Sequence, residues 1–374
     1  MSLTRLLAMA RKESIQLRRD PRSLLLAFAL PVLLLILFGY AISWDVGNIR
    51  TAVLDGDRSA RSRELLDAFR ASGYFTFVEI LERPAEITPL LERSGAQVVL
   101  VIPPGFADAV GAGRTVAVQA VVDGSDANTA TIALAYAEAV TRTFSADFQD
   151  AVLRGATLQP PVEAESRVWF NEELASRNMI VPGLVAVIMM IIAAMLTSLS
   201  IAREWERGTM EQLAATPVAR TEVVLGKLLP YVVIGLLDVA VSSLLGVYLF
   251  DVPFRGSAAL LMALSFFFLL GALGLGMFIS AVAKSQVLAT QIAMVATFLP
   301  AFLLSGFMFS LETMPKALQA ISYLIPARYF LVVTRGIFLK GVGLEVLRFQ
   351  GLLMIAFAAL GLSLAVVKFR KELG

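Results

Sequence analysis

Residues 178–202 read NMIVPGLVAVIMMIIAAMLTSLSIA and contain no charged side chain. A helix of about 20 such residues crosses the hydrocarbon core of a bilayer. Five further windows share this apolar character, and they are residues 23–44, 228–250, 256–283, 285–311 and 349–367. The one charged residue inside them is Asp238. A single window could be a buried core helix, but six of them predict a membrane all-α fold with six transmembrane helices.

The composition of the whole chain agrees with the six windows. Of its 374 residues, 57% are hydrophobic and 17% are charged, and the mean hydropathy is +0.76. A soluble domain is about half apolar and about a quarter charged. The chain contains no cysteine and no histidine. Disulfides, cysteine nucleophiles, zinc chemistry and Ser-His-Asp hydrolysis are therefore excluded as its mode of action, and we expect neither catalytic nor metal-binding residues.

Charge is unevenly distributed and predicts the orientation. Residues 45–177 hold 12 basic and 19 acidic residues, whereas the rest of the chain holds 20 basic and 11 acidic ones. With the N-terminus in the cytoplasm, the inner segments carry 14 Lys and Arg and the short outer loops carry 6. Positive charge collects on the cytoplasmic side. We therefore expect a multi-pass protein of the bacterial inner membrane, with both termini in the cytoplasm and residues 45–177 outside.

Residues 45–177 alternate between two kinds of pattern. Apolar or alternating runs predict strands at 51–54, 74–80, 97–102 and 116–122, and helical spacing appears at 60–71, 84–93, 106–110 and 127–153. Strands that alternate with helices predict an extracytoplasmic α/β domain between the first two spans. Its scattered aspartates, Asp55, Asp57, Asp123 and Asp126, are interpreted as caps of turns and helices rather than as ligands.

Residues 1–22 predict a cytoplasmic amphipathic helix that lies on the inner leaflet. One face at helical spacing combines Leu3, Leu6, Leu7, Ala10, Ser14 and Leu17, and basic residues occupy the rest. Asp20 and Pro21 then end this helix and turn the chain into the bilayer, where residues 23–44 form the first span. The alternative is an ordinary cytosolic start.

The segment that follows residues 178–202 carries a recognisable motif. It reads REWERGTMEQLAATP over residues 203–217. This resembles the pattern of the type-2 ABC transporter permeases, in which E-R-G-T-x-E-x-L is followed by T-P. Two other segments are similar to that family in the same order. They are Arg11-Lys12-Glu13 with Arg19-Asp20-Pro21, and Trp169-Phe170-Asn171 followed by Val181-Pro182-Gly183, although Glu172 stands where the family usually has proline.

The resemblance implies that residues 203–220 form a cytoplasmic coupling helix that docks on an ATPase. The residues that carry this expectation are Glu204, Glu206, Arg207, Gly208, Thr209, Glu211, Leu213, Thr216 and Pro217. Physical reasoning agrees, because Gly208 can break the helix that leaves the membrane, Thr209 can cap a new helix, and Pro217 can end it. The alternative is a loop whose charges only face water.

The chain lacks a phosphate-binding loop, because Gly226-Lys227 is followed by Leu228 and Thr221 stands where the first glycine would be. We therefore expect no cofactor in this chain. The resemblance implies that a separate ABC ATPase, in two copies, binds ATP and magnesium. It also implies a homodimer, or a heterodimer with a related permease, that exports amphiphilic or drug-like molecules. A periplasmic adaptor is a further candidate partner, and no nucleic acid is expected.

Two features inside the membrane bear on the pathway. Asp238 lies near the middle of the third span, where a carboxylate is costly and usually faces protein or water. It is either a contact for substrate or a cation, or a hydrogen-bonded structural carboxylate. Residues 311–340 are too polar to cross and too apolar to leave the membrane. They predict short helices at the outer leaflet, which the resemblance identifies as outer re-entrant helices.

Two other function classes are compatible with parts of the sequence. A membrane-anchored sensor or structural protein would display residues 45–177, but it needs neither six spans nor a coupling motif. An ion-driven carrier would show internal repeats with paired broken helices, and no such repeats are clear in the sequence. The sequence therefore favours a transporter permease that is not itself an enzyme.

Overall fold

The computed structural model describes residues 2–42, 47–125, 127–152, 170–171 and 175–369. The chain divides into two compact units. One combines Met1–Ser43 with Val168–Gly374, and the other is Trp44–Arg167. Apart from Trp44, the smaller unit lies within residues 45–177, the range predicted for the α/β domain, so the division follows the charge asymmetry of the sequence.

The chain begins with helix α1, Leu3–Arg18. Of the apolar face that was predicted to lie on the leaflet, Leu6, Ala10 and Leu17 are buried within the protein, whereas Leu3 and Leu7 are 71% and 52% exposed. Met9 and Glu13 complete the buried face in their place. This face is buried because α1 packs against the helix Arg220–Tyr248. Gly226 of that helix lies so close to α1 that a Cβ atom on it would be 2.6 Å from Met9 Cβ. Protein, and not lipid alone, therefore covers the apolar face of α1.

The first apolar helix follows Asp20 without a long loop. It consists of α2, Pro21–Leu24, a π-helical segment, Leu25–Ala29, and α3, Leu30–Ala41. Pro21 opens α2, a position that proline's fixed φ angle favours. At about 1.5 Å per residue the three segments together are about 30 Å long. Their apolar part, Ala27–Ala41, is shorter than the other apolar helices, and residues 43 and 44 of the predicted span lie outside the described residues.

The smaller unit contains a four-stranded sheet with strand order β2-β1-β3-β4. Its elements in chain order are β1 Ile49–Asp55, α4 Ala60–Ala71, β2 Phe75–Leu81, α5 Ile87–Glu92, β3 Val98–Ile102, α6 Phe106–Gly111, β4 Gln119–Val122 and α7 Ala127–Val152. β1 pairs in parallel with β2 and β3, and β4 pairs antiparallel with β3. The predicted alternation of strands and helices is confirmed, and the last strand is shorter than predicted.

The turn aspartates of this unit bind backbone amides. Asp55 Oδ1 accepts hydrogen bonds from the amides of Asp57 and Arg58, at 3.0 and 2.9 Å. Asp57 Oδ2 accepts one from the amide of Ala107 at 3.1 Å. Hydrogen bonds, the strongest from the Ser59 side chain, hold the pKa of Asp57 below its usual value. The interpretation of Asp55 and Asp57 as caps is confirmed, while Asp126 lies outside the described residues.

The larger unit continues with nine further α-helices in the described part of the chain. They are α8 Ser176–Glu206, α9 Met210–Ala214, α10 Arg220–Tyr248, α11 Ala258–Ala283, α12 Gln286–Ala293, α13 Leu299–Leu304, α14 Lys316–Ser322, α15 Pro326–Arg335 and α16 Leu344–Lys368. A π-helical segment, Met294–Phe298, joins α12 to α13, and another, Gly336–Lys340, follows α15.

Within the described residues five helices are long and apolar enough to cross a membrane. They are α8, α10, α11, the continuous helix Gln286–Leu304, and α16. A bent pair, Lys316–Ser322 with Pro326–Lys340, turns by 78° and would be a sixth span if counted as one. The bent pair lies in the segment for which short helices were predicted, and its depth in the membrane stays a prediction. The fold is thus helical with five or six candidate spans and one small sheet.

Helix α8 is the centre of the larger unit, since 89% of its apolar window is buried. Helix α11 packs on it so closely that a Cβ atom on Gly276 would lie 2.3 Å from the carbonyl oxygen of Ala194. A Cβ atom on Gly274 would likewise lie 2.7 Å from the backbone of Gly361 in α16. Both glycines therefore permit close helix contact, as small residues do at helix interfaces in membranes.

Candidate functional site

The REWERGTMEQLAATP segment folds as a sharp turn followed by a short helix. α8 ends at Glu206, and Gly208 then adopts a φ of +67°, a left-handed conformation that favours glycine. α9 follows at Met210, and α10 begins at Arg220. Nothing lies within 4 Å of where a Cβ atom on Gly208 would stand. Glycine is therefore favoured at position 208 by its positive φ angle, and not by a lack of room for a side chain.

Helix α9 has two distinct faces. Met210 and Leu213, three residues apart, are 3% and 5% exposed and pack inward. Glu211, Gln212, Thr216 and Pro217 are exposed, as is Arg207 before the helix. Glu211 lies in the first turn of α9, where the helix dipole favours an acid. The exposed face of this segment, Arg207, Glu211, Gln212, Thr216 and Pro217, is called the docking face below.

The structure differs from the prediction in two local details. The helix expected over residues 203–220 is divided, because 203–206 continue α8 and only Met210–Ala214 form a separate helix. Thr209 precedes α9 but does not cap it, since its φ and ψ of −80° and −5° are helical rather than extended. Its hydroxyl instead donates to the Glu204 carboxylate, and its amide donates to the Glu204 carbonyl at 3.0 Å. A charged acceptor makes the stronger hydrogen bond.

Glu204 belongs to a buried cluster of charges beneath α9. Lys227 of α10 is completely buried, and its Nζ lies 2.8 Å from Glu13 Oε2 of α1 and 3.1 Å from Glu204 Oε1. Lys12 Nζ lies 3.0 Å from the same Glu204 oxygen. Ser200 Oγ and Tyr231 OH donate to Glu13 Oε1 at 3.2 and 2.8 Å. These six residues, Lys12, Glu13, Ser200, Glu204, Lys227 and Tyr231, are called the Lys227 cluster.

The Lys227 cluster is electrically balanced and fully hydrogen-bonded at its carboxylates. Two acids face two ammonium groups, and each of the four carboxylate oxygens has a partner in Lys12, Ser200, Thr209, Lys227 or Tyr231. Buried charges are tolerated when they are paired and satisfied in this way, and removal of one partner is strongly destabilising. The cluster therefore holds α1, α8 and α10 together beside α9.

Further contacts tie the loop between α8 and α10 to its neighbours. Arg5 Nη1 of α1 donates to the carbonyl of Pro217 at 2.6 Å, and the amide of Ser2 donates to Glu222 Oε1 at 2.5 Å. At the end of α8, Glu206 accepts a hydrogen bond from the amide of Gln286, the first residue of α12, at 2.8 Å. A displacement of α9 would therefore be transmitted to α1, α10 and α12.

These contacts change which of the predicted residues can meet a partner. Glu204 is 3% exposed, and its carboxylate binds Lys12, Thr209 and Lys227. It therefore stabilises the loop from within the protein. Glu206 is exposed but engaged with Gln286. Glu211 and Arg207 have no ion pair with any described residue and are exposed. Arg207 and Glu211 are thus the predicted charged residues that remain exposed without an ion pair to a described residue.

Glu13 and Lys227 were not identified from the sequence as members of a site. Glu13 lies among buried Leu6, Met9, Ala10 and Leu17 on one face of α1, and an acid within an apolar stripe is a signal that could have been used. Lys227 precedes the third apolar window and was counted only as a flanking charge. Their pairing across 214 positions is a tertiary contact that no local pattern contains.

The motif before α8 is only partly described, since Trp169 and Glu172 lie outside the described residues. Asn171 Nδ2 donates to the carbonyl of Ala175 at 3.0 Å, and Asn178 Nδ2 donates to Asn171 Oδ1 at 2.7 Å. Pro182 lies inside α8, where it removes one backbone donor. Arg335 Nε donates to the carbonyl of Met179 at 3.2 Å. The bent helix pair is therefore attached to the first turn of α8.

Asp238 lies in α10, away from the Lys227 cluster, and is 3% exposed. Its Oδ2 atom is buried and has no hydrogen-bond partner among the described residues. Ser265 Oγ, on the neighbouring helix α11, is also buried without a partner in that part of the chain. This geometry argues against a hydrogen-bonded structural carboxylate. A buried acid without a hydrogen-bond partner carries a desolvation cost, and no described contact of Asp238 offsets it.

Comparison with known proteins gives consistent matches over nearly the whole chain. The sequence profile of the ABC-2 family transporter protein matches residues 21–367. The "Probable multidrug ABC transporter permease YbhS" of Escherichia coli strain K12 is 38% identical over 374 residues, which covers 100% of this chain and 98% of that protein. The "Probable multidrug ABC transporter permease YbhR" of the same strain is 31% identical over 98% of this chain and 99% of that protein. The "Inner membrane transport permease YhhJ", also from that strain, is 28% identical over 86% of this chain and 85% of that protein.

Proposed function

The chain belongs to the ABC-2 family of transporter proteins, and we propose that it couples the energy of a separate ABC ATPase to export through its membrane helices. Similarity to proteins named as permeases identifies it as a multi-pass membrane permease and not an enzyme. It also argues against the sensor hypothesis, because all three relatives are named for transport.

The observation that carries the proposal is the connection of α9 to the long helices. The docking face is exposed, while Met210 and Leu213 are inserted beneath it. Thr209 binds Glu204, and Glu204 binds Lys227 of α10. An ATPase that pushes on the docking face therefore acts on α8 and α10 through a rigid, satisfied set of contacts. Two copies of the ATPase would bind ATP and magnesium, because this chain has no phosphate-binding loop.

The pathway is proposed to form between two permease chains, either two copies or this chain and a relative. Cargo would be amphiphilic or drug-like, since two relatives are named as multidrug permeases. Asp238 is a candidate contact for that cargo, because it is a buried acid without a partner within the described residues. A periplasmic adaptor would complete an export route across the envelope.

A glycine substitution tests the coupling role. Gly208→Val forces a β-branched residue to a φ of +67°, which costs about 1–3 kcal/mol and displaces α9. We expect the variant to insert and dimerise, but to lose most of its stimulation of the co-expressed ATPase. Gly343→Val is the matched control, because Gly343 has a φ of −87° and open space around it. Stimulation of the ATPase by Gly208→Val at the level of Gly343→Val would refute the coupling role.

Cysteine labelling tests the proposed orientation, with six spans and both termini in the cytoplasm. The chain has no native cysteine, so Ser125→Cys, Ala215→Cys and Leu318→Cys each provide a single reactive site. We expect an impermeant maleimide to label positions 125 and 318 in intact spheroplasts and position 215 only after lysis. Labelling of position 215 in sealed spheroplasts would overturn the orientation.

A further inference from the structure

A basic cavity lies where α1 meets the end of α8. Its volume is about 420 Å³, and its lining includes four cationic residues, Lys12, Arg19, Arg203 and Arg207. The acid among its lining residues is Asp20. Arg207 is shared with the docking face, and the other lining residues are not part of that face. We call it the basic cavity.

The charges in the basic cavity are only partly compensated. Arg203 Nη1 lies 2.8 Å from Asp20 Oδ2, and Lys12 pairs with Glu204 at 3.0 Å. Arg19 and Arg207 are exposed, and neither makes an ion pair with a residue that the structure describes. Two positive charges are therefore left to face the cavity without a counter-charge.

Apolar surface adjoins these charges. Ile15 and Pro21 line the same cavity, and Ile15 is 45% exposed. One turn beyond Pro21, Leu25 is 62% exposed, and Phe28 is 38% exposed further along the same helix. The basic cavity is therefore the end of an apolar strip that continues along the first apolar helix.

We propose that the basic cavity binds the phosphate of an anionic phospholipid, whose acyl chain lies along Leu25 and Phe28. Arginine pairs with phosphate through two parallel hydrogen bonds. Basic pockets between membrane helices bind lipid headgroups in this way. The leaflet rests on the proposed orientation, which places this end of α8 in the cytoplasm.

A lipid fits the surroundings better than an acidic segment of the ATPase. The cavity opens between α1 and the start of the first apolar helix, at the level where the apolar side chains begin. The carboxylates of an acidic peptide would pair with the arginines but would not cover Ile15 and Leu25, whereas a lipid supplies the anionic group and the acyl chain in one molecule. A bound lipid would bridge α1 and α8 next to Glu204, so the anionic lipid content of the membrane would affect the position of α9.

Lipid titration of the full chain in a neutral detergent tests the proposal without any ATPase. Native mass spectrometry would compare phosphatidylglycerol with phosphatidylcholine of the same acyl chains. We expect the wild-type chain to bind phosphatidylglycerol about tenfold more tightly than phosphatidylcholine. A basic residue near a membrane surface contributes about 1 kcal/mol, which is about fivefold in affinity. Arg19→Gln should therefore weaken phosphatidylglycerol binding about fivefold, and Arg19→Gln with Arg207→Gln about twentyfold.

Arg11→Gln is the matched control, because Arg11 is an exposed arginine of α1 that does not line the cavity. Equal affinity for the two lipids, or an equal loss in Arg11→Gln, would overturn the proposal. Displacement of phosphatidylglycerol by glycerol 3-phosphate at similar concentration would show a free-phosphate site instead. Normal lipid binding by Arg19→Gln together with lost ATPase association would assign the cavity to the partner. If Arg19→Gln does not fold, the proposal is tested by Arg207→Gln and by the difference in wild-type affinity between phosphatidylglycerol and phosphatidylcholine.

Discussion

Lys227 and Asp238 are two of the buried ionisable side chains of helix α10, and they lie about three turns apart. Their surroundings differ in opposite ways. Lys227 is completely buried and is held by Glu13 and Glu204, whose remaining oxygens are also satisfied. Asp238 is 3% exposed, and its Oδ2 has no partner in the described part of the chain. A charge with a complete set of partners stabilises an arrangement of helices. A buried acid without such partners is costly, and this is why Asp238 is proposed above as a contact for cargo.

The largest effect in this comparison is expected for Lys227→Met. Methionine fills a similar volume, but it leaves Glu13 buried without its ammonium partner and Glu204 with Lys12 alone. Loss of one partner of a buried ion pair costs about 3–5 kcal/mol. We expect a marked fall in the melting temperature of the purified chain.

Two further variants make the Lys227 prediction specific. Lys284→Met should lower the melting temperature much less, because within the described part of the chain the Lys284 ammonium group makes a cation–π contact, 4.6 Å from the ring centroid of Trp205, and no ion pair. Adding Glu13→Gln to Lys227→Met should restore part of the stability, since it removes the carboxylate that lost its ammonium partner, while Glu204 keeps Lys12. Equal melting temperatures for Lys227→Met and the wild type would show that the cluster does not hold the helices.

An increase in stability, rather than a loss, is expected when Asp238 is replaced by an apolar residue. Asp238→Leu removes an unpaired buried polar group and should raise the free energy of unfolding by about 1–3 kcal/mol. Transport of cationic drugs should fall, both in this variant and in Asp238→Asn, which keeps the shape without the charge. Ser265→Ala on α11 serves as a control that removes a neutral unpaired group. A large loss of stability in Asp238→Leu with normal transport would assign Asp238 to structure.

A smaller loss of stability is expected where the Lys227 cluster contacts the loop between α8 and α10. Thr209→Val keeps the shape of the side chain but removes its hydroxyl, which donates to the Glu204 carboxylate. A hydrogen bond to a charged group contributes about 1.5–3 kcal/mol, and the exposed side of this contact reduces that figure to about 1 kcal/mol. We expect a small fall in melting temperature and a larger fall in ATPase stimulation. Thr209→Ser should restore both.

The sequence predicts most of the helices and strands, because their signals are local. Uncharged windows identify the long helices, and in the smaller unit the strand at Val98–Ile102 and the helix at Ala60–Ala71 match the predicted ranges closely. The site was predicted less completely. Gly208 and the exposed Glu211 were predicted from the motif, whereas the pairing of Lys227 with Glu13 depends on how α1 packs against α10. Glu204 was expected to face a partner, but it is turned inward because Lys12, Thr209 and Lys227 all bind it.

The smallest effect on stability is expected for Glu211→Lys, which separates the docking face from the cluster beneath it. Glu211 is exposed and has no ion pair with the described residues, so its reversal should change the free energy of unfolding by less than about 0.5 kcal/mol. It should nevertheless reduce ATPase pull-down, because a reversed charge repels the basic group that it formerly attracted.

The matched control for Glu211→Lys is Glu345→Lys, an exposed acid in the first turn of α16. Both substitutions replace an acid in the first turn of a helix by a cation, so any cost from the helix dipole has the same sign. Their difference in ATPase association therefore measures the docking face alone. If both variants bind the ATPase equally well, α9 is not where the ATPase docks. The Lys227 cluster would then hold the helices together without transmitting a movement.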